Sequence, residues 1–347
     1  MSQSDRQIPG LVTVMMPVFK GEAFIAEAVE SILAQSHENW ELLALDDCSP
    51  DGSVSILESF NDSRIRILRN EKNRGVAFGR TRCVQEAKGE FCAWLDQDDY
   101  SEPDRLALQV EAFRADPELV LCGSAIRVFG DGERIENVPL DHHWIKASLL
   151  FENPFATSAL MFRTQIFRNH DLTFRQDLFP AEDFDVFSKI VFLGRARNLP
   201  EVLTHYRLHP GQGSSNKERL VRGHNYVIDT IVRRLLAEYS EEDANIHHRI
   251  SQGIQESDPD FIERADAWLA RLEEANRQKQ VFEPMALQSV LASRWKGICH
   301  SRIGNSFHVA RLYFQGHALR SGAVSRRGRF LHALRLALGP YKRMVGL

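Results

Sequence analysis

Cysteine is scarce in this chain of 347 residues: five in all, at positions 48, 83, 92, 122 and 299, with no CxxC spacing. An odd, scattered set argues against a disulfide framework or a zinc site and fits free thiols in a reducing compartment. Long apolar runs are also missing. No window approaches the about 18 consecutive apolar residues that a spanning helix requires. The opening MSQSDRQIPG is polar, with no apolar run before Leu11, so a secretory leader is not expected and a cytoplasmic location is. No fixed-period repeat or low-complexity tract occurs. No glycine-rich loop bearing Lys or Arg follows the first apolar run, which disfavours a nucleotidyltransferase-type phosphate cradle. Acidic residues are absent after Glu283, while residues 284–347 hold eleven Lys or Arg. That leaves 32 basic against 47 acidic residues in 1–283, an acidic body with a cationic tail. Such asymmetry points to an anionic partner for the tail.

What is present alternates in period. Leu11–Met16 is a nearly continuous apolar run stopped by Pro17, as expected of a strand buried on both faces. Gly21 and Glu22 open a helix with Ile25, Val29, Ile32 and Leu33 on one stripe. Further strands are expected at 40–45, 65–68 and 91–95, with helices at 53–60 and 75–87 between them. Strands alternating with helices at this spacing give βαβ units and a mostly parallel sheet, an α/β fold. In such a sheet ligands gather beyond the carboxyl ends of the strands. Pro17, Asp46, Asp47, Asp96 and Asp98 all fall at such ends. Residues 101–210 are less regular: a helix near 104–115, strands at 119–128, 158–162 and 201–208, and a helix over 186–192. Beyond 215 the chain turns polar and helical, at 217–238, 242–254, 258–277 and 285–300. The expected division is thus an unstructured 1–10, an α/β domain over 11–215 and a helical region over 216–347. The histidines at 142, 143, 247 and 248 read as solvated.

The sharpest local signal is Phe91-Cys92-Ala93-Trp94-Leu95 running into Asp96-Gln97-Asp98-Asp99. Side chains alternate along a strand, so Asp96 and Asp98 would face the same way. Two like-facing carboxylates are costly to desolvate unless a cation joins them, and oxygen donors suit Mg2+ or Mn2+. A solvated acidic turn closing a strand has the same composition.

Four stretches in order carry a resemblance: VTVMMPVFKGEAFIAEAVESILAQSHENWELLALDDCSPDGS, NRGVAFGRTRCVQEAKGEFCAWLDQDDY, AEDFDVFSKI and HYRLHPGQGSS. Together they resemble the catalytic domain of glycosyltransferase family 2, with the nucleotide-sugar-binding GT-A fold, over about residues 11–212. The resemblance implies that Pro17 and Phe19 pack the base, although Phe19-Lys20 stands where the family usually has Tyr-Asn. It implies that Asp47 accepts from the base; an acceptor-only group suits the imide of uracil or thymine. Arg80 would meet phosphate or base, or be a solvated helix residue. Asp96 would lie near the ribose and Asp98 on the metal, Mn2+ or Mg2+. His209 would approach the metal or diphosphate, or simply cap the strand before Pro210. Glu22 and Gln97 join this donor set, with Glu22 equally readable as a first-turn residue favoured by the helix dipole. The resemblance also implies that the catalytic base falls in Glu182-Asp183, and on Asp183 in particular. Adjacent acids at a helix start could also be a cap.

The activity implied is inverting, metal-dependent transfer from a nucleotide sugar, a UDP-sugar first, to a hydroxyl of a cell-surface glycan or lipid-linked acceptor. A non-catalytic sugar-nucleotide-binding scaffold and a nucleotidyltransferase are the alternatives. Residues 325–338 alternate basic and apolar residues at helical spacing, so 318–347 resembles an interfacial helix on an anionic leaflet at the inner face of the plasma membrane. Packing on the acidic body or in an oligomer is the competing use. Nucleic acid is not an expected partner, because no binding module is recognisable.

Overall fold

The computed structural model describes residues 7–213, 216–253 and 259–300, together with Gly316. These residues divide into two compact units, one drawn from Met1–Ile145 and Asn153–His224, the other from Lys146–Glu152 and Asn225–Leu347. Sequence reading had placed a single boundary near 215. Among the described residues no helix is long and apolar enough to cross a membrane.

The first unit begins as the periodicity requires. β1 (Ile8–Val18), α1 (Ile25–Leu33), β2 (Trp40–Asp46), α2 (Ser53–Ser59), β3 (Ile65–Arg69), α3 (Val76–Glu86) and β4 (Gly89–Trp94) follow in order. Regular structure starts at Ile8, inside the stretch expected to lack it; residues 1–6 lie outside the described residues. β1 pairs parallel with both β2 and β4, and β2 with β3. Its residues Val12, Val14, Met15, Met16 and Val18 are buried, and so are Ile25, Ala28, Val29 and Ile32 of α1. Each fully buried aliphatic side chain contributes about 1.5–3 kcal/mol, so this double-faced strand anchors the sheet. Register puts Val18 opposite Asp46 and Met15 opposite Trp94, which brings the residues after all three strands to one edge.

The chain continues through β5 (Tyr100–Ser101), α4 (Arg105–Ala115), β6 (Leu119–Gly130), β7 (Arg134–Glu136) and α5 (His142–Ser148). β8 (Met161–Arg163), α6 (Thr164–Asn169), α7 (Glu182–Leu193) and β9 (Arg195–Leu208) complete the sheet. Its order is β3-β2-β1-β4-β8-β6-β9-β5, with β7 on the free side of β6. β8 is antiparallel to β4 and β6, and β9 runs parallel to β6. β9 begins six residues before the strand expected at 201. The apolar pattern fades there because Pro200 lies in a bulge: Leu199 opposes Ser124 and Val202 opposes Ala125, leaving Pro200 and Glu201 unpaired. A proline without an N–H is tolerated at such a bulge.

The second unit contains helices α8 (Lys217–Leu235), α9 (Glu241–Ser251), α10 (Pro259–Lys279) and α11 (Pro284–His300). Its core includes Ile231, Phe261, Leu269 and Trp295. His247 is buried rather than solvated. Its Nε2 donates to Leu150 O at 2.7 Å and its Nδ1 accepts from Trp268 Nε1 at 2.9 Å. Burial pushes its pKa down to about 4, so the neutral ring serves as a structural bridge.

Candidate active site

A cleft of 840 Å³ opens at the carboxyl edge of β1, β2 and β4, inside the first unit. Pro17, Phe19, Asp47, Arg80, Asp96, Gln97, Asp98, Glu182, Asp183 and His209 all line it. Residues separated by up to 192 positions thus share one wall system. Glu22 is not among the lining residues; its carboxylate accepts from Gly52 N at 3.0 Å and steadies the turn before α2.

Each lining residue is fixed by local structure. The Gln97 amide brackets Phe19, donating to its O and accepting from its N, both at 2.9 Å. Asp47 is buried and accepts from Asn70 Nδ2, Arg74 N and Gly75 N at 2.6–3.0 Å, organising the loop that feeds α3. Gly75 takes φ of 84° at that point, which a side chain would resist. Asp98 Oδ2 lies 2.9 Å from His209 Nε2, and the His209 ring packs 4.8 Å from that of Phe24.

The cleft floor is an ionic cluster. Buried Arg80 donates to Glu182 Oε1 at 3.1 Å and pairs with Asp96 Oδ1 at 3.5 Å. Burial works against its charge, but Asp96 and Glu182 overcome this and hold the guanidinium more firmly protonated than usual. Burial raises Glu182 to about 7, opposed by Arg80 and assisted by Asp183. Asp96 is raised by burial too, against the pull of Arg80. Asp99, fully buried, stands well above the carboxylate range through burial and then its neighbours Asp98 and Asp96. Asp183 differs: half-exposed at the start of α7, it accepts from the Thr157 hydroxyl and from Phe184 N.

The profile described as "Glycosyl transferase family 2" matches residues 13–189, half of the chain. The chain belongs to glycosyl transferase family 2. It is similar to an uncharacterized glycosyltransferase of Haemophilus influenzae, 31% identical over 218 residues, covering 59% of this chain and 68% of that one. It is also similar to the UDP-Glc:alpha-D-GlcNAc-diphosphoundecaprenol beta-1,3-glucosyltransferase WfgD of Escherichia coli, 35% identical over 127 residues, 37% of this chain and 47% of that one. Among such relatives the aligned stretch covers from 23% to 68% of the other protein's length. The S. aureus TarS 1–349 structure in complex with UDP-GlcNAc matches with a TM-score of 0.56 at 18% identity, covering 88% of this chain and 91% of that one. That likeness concerns the fold, which is GT-A as the sequence resemblance implied.

In this glycosyltransferase the structure adds residues that sequence reasoning missed. Thr157 and Ser158 line the cleft, Thr157 on Asp183 and Ser158 Oγ accepting from Asp96 N at 3.2 Å. Neither carries a spacing signal. Glu136 and Tyr206 also line the cleft, on strands β7 and β9. Among the described residues no cluster of three or more His, Cys, Asp or Glu could hold an ion alone. The Asp98–His209 pair supplies one oxygen and one nitrogen donor facing the cleft. Such a set would fit Mn2+ or Mg2+.

Proposed function

We propose that this cleft transfers a sugar from a UDP-sugar to a hydroxyl of a glycan or lipid-linked acceptor, with inversion at the anomeric carbon. The observation that carries the reading is the gathering of Asp47, Asp96, Asp98, His209 and Asp183 on one cleft. Pro17 and Phe19 would flank the base, with Asp47 facing its imide, and Asp96 would lie beside the ribose. Arg80 would set the charge of that floor. Asp98 and His209 would hold Mn2+ or Mg2+, and a bound cation would offset the negative charge of the leaving diphosphate.

The chain's own groups then complete the reaction. Asp183 would take the proton of the acceptor hydroxyl as its oxygen bonds to the anomeric carbon. The bond from that carbon to the diphosphate oxygen breaks, and UDP departs with the electron pair. Attack opposite the leaving group inverts the centre. The relative named for transfer from UDP-Glc to a diphosphoundecaprenol acceptor supports the donor and acceptor classes.

Donor class is tested by thermal unfolding with UDP-, GDP- and dTDP-sugars, with and without Mn2+. The expected result is stabilisation by UDP-sugars that grows with Mn2+, about 4 kcal/mol at a thousandfold excess over Kd. Stabilisation by GDP-sugars alone would refute the uracil assignment. Slow release of UDP in the same samples separates an enzyme from a binding module.

The cationic tail, 318–347, lies outside the described residues, so its proposed role rests on charge. Each basic residue near an anionic leaflet contributes on the order of 1 kcal/mol. Full-length chain is expected to float with phosphatidylserine-containing liposomes, and a chain ending at 318 to stay behind. Equal flotation would remove a peripheral membrane location.

A further inference from the structure

Beneath the cleft lies a buried cation that the reaction as described does not use. Arg105, at the start of α4, is fully buried and has no carboxylate within its hydrogen-bonding reach among the described residues. Its bonds go elsewhere. Nη2 donates to Trp94 O at 2.8 Å and to Leu160 O at 3.3 Å, Nη1 to Ser101 Oγ at 2.9 Å, and Nε to Gln109 Oε1 at 3.2 Å. One turn along the helix, Gln109 Nε2 donates to Cys122 O at 3.0 Å and Ala159 O at 2.8 Å. Isolating a charge in this way costs several kcal/mol, so the site must return something that a leucine could not. Burial lowers the Arg105 pKa to about 9, with Asp99 pulling the other way.

The place of these bonds is informative. Trp94 N donates to Leu160 O at 2.9 Å, the last rung where the chain of β8 runs beside β4. Beyond that rung backbone pairing between the two chains ends, and one side-chain bond, Asp96 N to Ser158 Oγ at 3.2 Å, crosses the gap. One becomes the turn carrying Asp96, Asp98 and Asp99, and the other leads back to Thr157 and Ser158. Arg105 sits in the fork and bonds the carbonyl on each side. Gln109 ties the second branch to β6. A planar guanidinium can satisfy diverging acceptors at fixed angles, which a flexible ammonium cannot.

We propose that Arg105 and Gln109 are positioning residues for glycosyl transfer: a clasp that sets the separation between the Asp96–Asp99 turn and the Thr157–Ser158 turn. It rests on the donor-site reading above, because those turns carry the diphosphate side and the partner of Asp183 respectively. A misplacement on the order of 1 Å is enough to cost about 100-fold in turnover, which is why a fork at this point is worth bracing.

The test uses the full chain with Gln109→Leu and Arg105→Lys, the latter keeping the charge without the planar fork. Hydrogen–deuterium exchange is expected to quicken at least about tenfold in both 94–99 and 157–162, while β1 and β2 amides stay within about twofold of wild type. In the same variants UDP affinity measured with Mn2+ should drop at least about fivefold, with metal-free UDP affinity nearly unchanged. Uniform acceleration through β1 and β2 would mark a merely structural role and overturn the proposal, as would wild-type exchange or wild-type Mn2+ enhancement in either variant. A wild-type protein that does not bind UDP would refute the donor site instead, leaving the exchange arm to decide the clasp.

Discussion

Asp183→Asn is expected to lower kcat by about a thousandfold while UDP affinity in the presence of Mn2+ changes less than about threefold. Asparagine keeps the shape and one acceptor for the Thr157 hydroxyl, but it cannot take a proton. Glu182 beside it offers a sharp control. Its carboxylate is buried with Oε1 on Arg80 at 3.1 Å, whereas Asp183 is half-exposed. Glu182→Gln should therefore act through Arg80 and cost turnover far less than Asp183→Asn. Steady-state donor turnover and calorimetric UDP binding on both variants decide this. If Asp183→Asn keeps wild-type turnover, or if the two variants lose it equally, Asp183 is not the base.

The contrast between these neighbours shows where sequence reading stops. β1, β2 and β4 were legible because a strand buried on both faces leaves an apolar run, and Gly75 and Pro17 punctuate it. Asp47, Asp96 and Asp98 followed from strand-end position, whereas Glu182 and Asp183 followed only from the family resemblance. What was not legible depends on contacts between distant residues. Arg80 and Glu182 are 102 positions apart, and no spacing encodes that pair; Asp98 and His209, 111 apart, were brought together only by the family resemblance. Thr157 and Ser158 look like any loop residues until β8 brings them beside Asp96 and Asp183. Arg105 lies on a helix correctly placed near 104–115, where a basic residue in the first turn reads as solvated; only the fork between β4 and β8 explains its burial. The early part of β9 was lost for a local reason, the bulge at Pro200.

The second large effect concerns stability. Arg80→Met should destabilise the first unit by about 3–5 kcal/mol at pH 8, because it strands two carboxylates that share one buried cation. The pH dependence follows from the direction of the Glu182 shift. Its folded pKa, about 7, lies above its ordinary 4.5, so the stability it contributes is full below about 4.5 and is lost as pH rises through about 7. Arg80 is the influence that opposes this rise, so without it the folded pKa climbs further and the loss above neutrality deepens. At pH 5 Glu182 is largely protonated in the folded state, and the missing cation matters less. The deficit of Arg80→Met relative to wild type, read from urea midpoints, should therefore be markedly smaller at pH 5 than at pH 8. Adding Glu182→Leu should recover at least about half of the loss at pH 8, since a buried ion pair can be replaced by apolar groups at little cost whereas a lone buried charge cannot be tolerated. A deficit that is the same at both pH values, or a double variant whose losses simply add, would mean that Arg80 and Glu182 do not depend on each other. The cleft floor would then owe its charge balance to Asp96 alone.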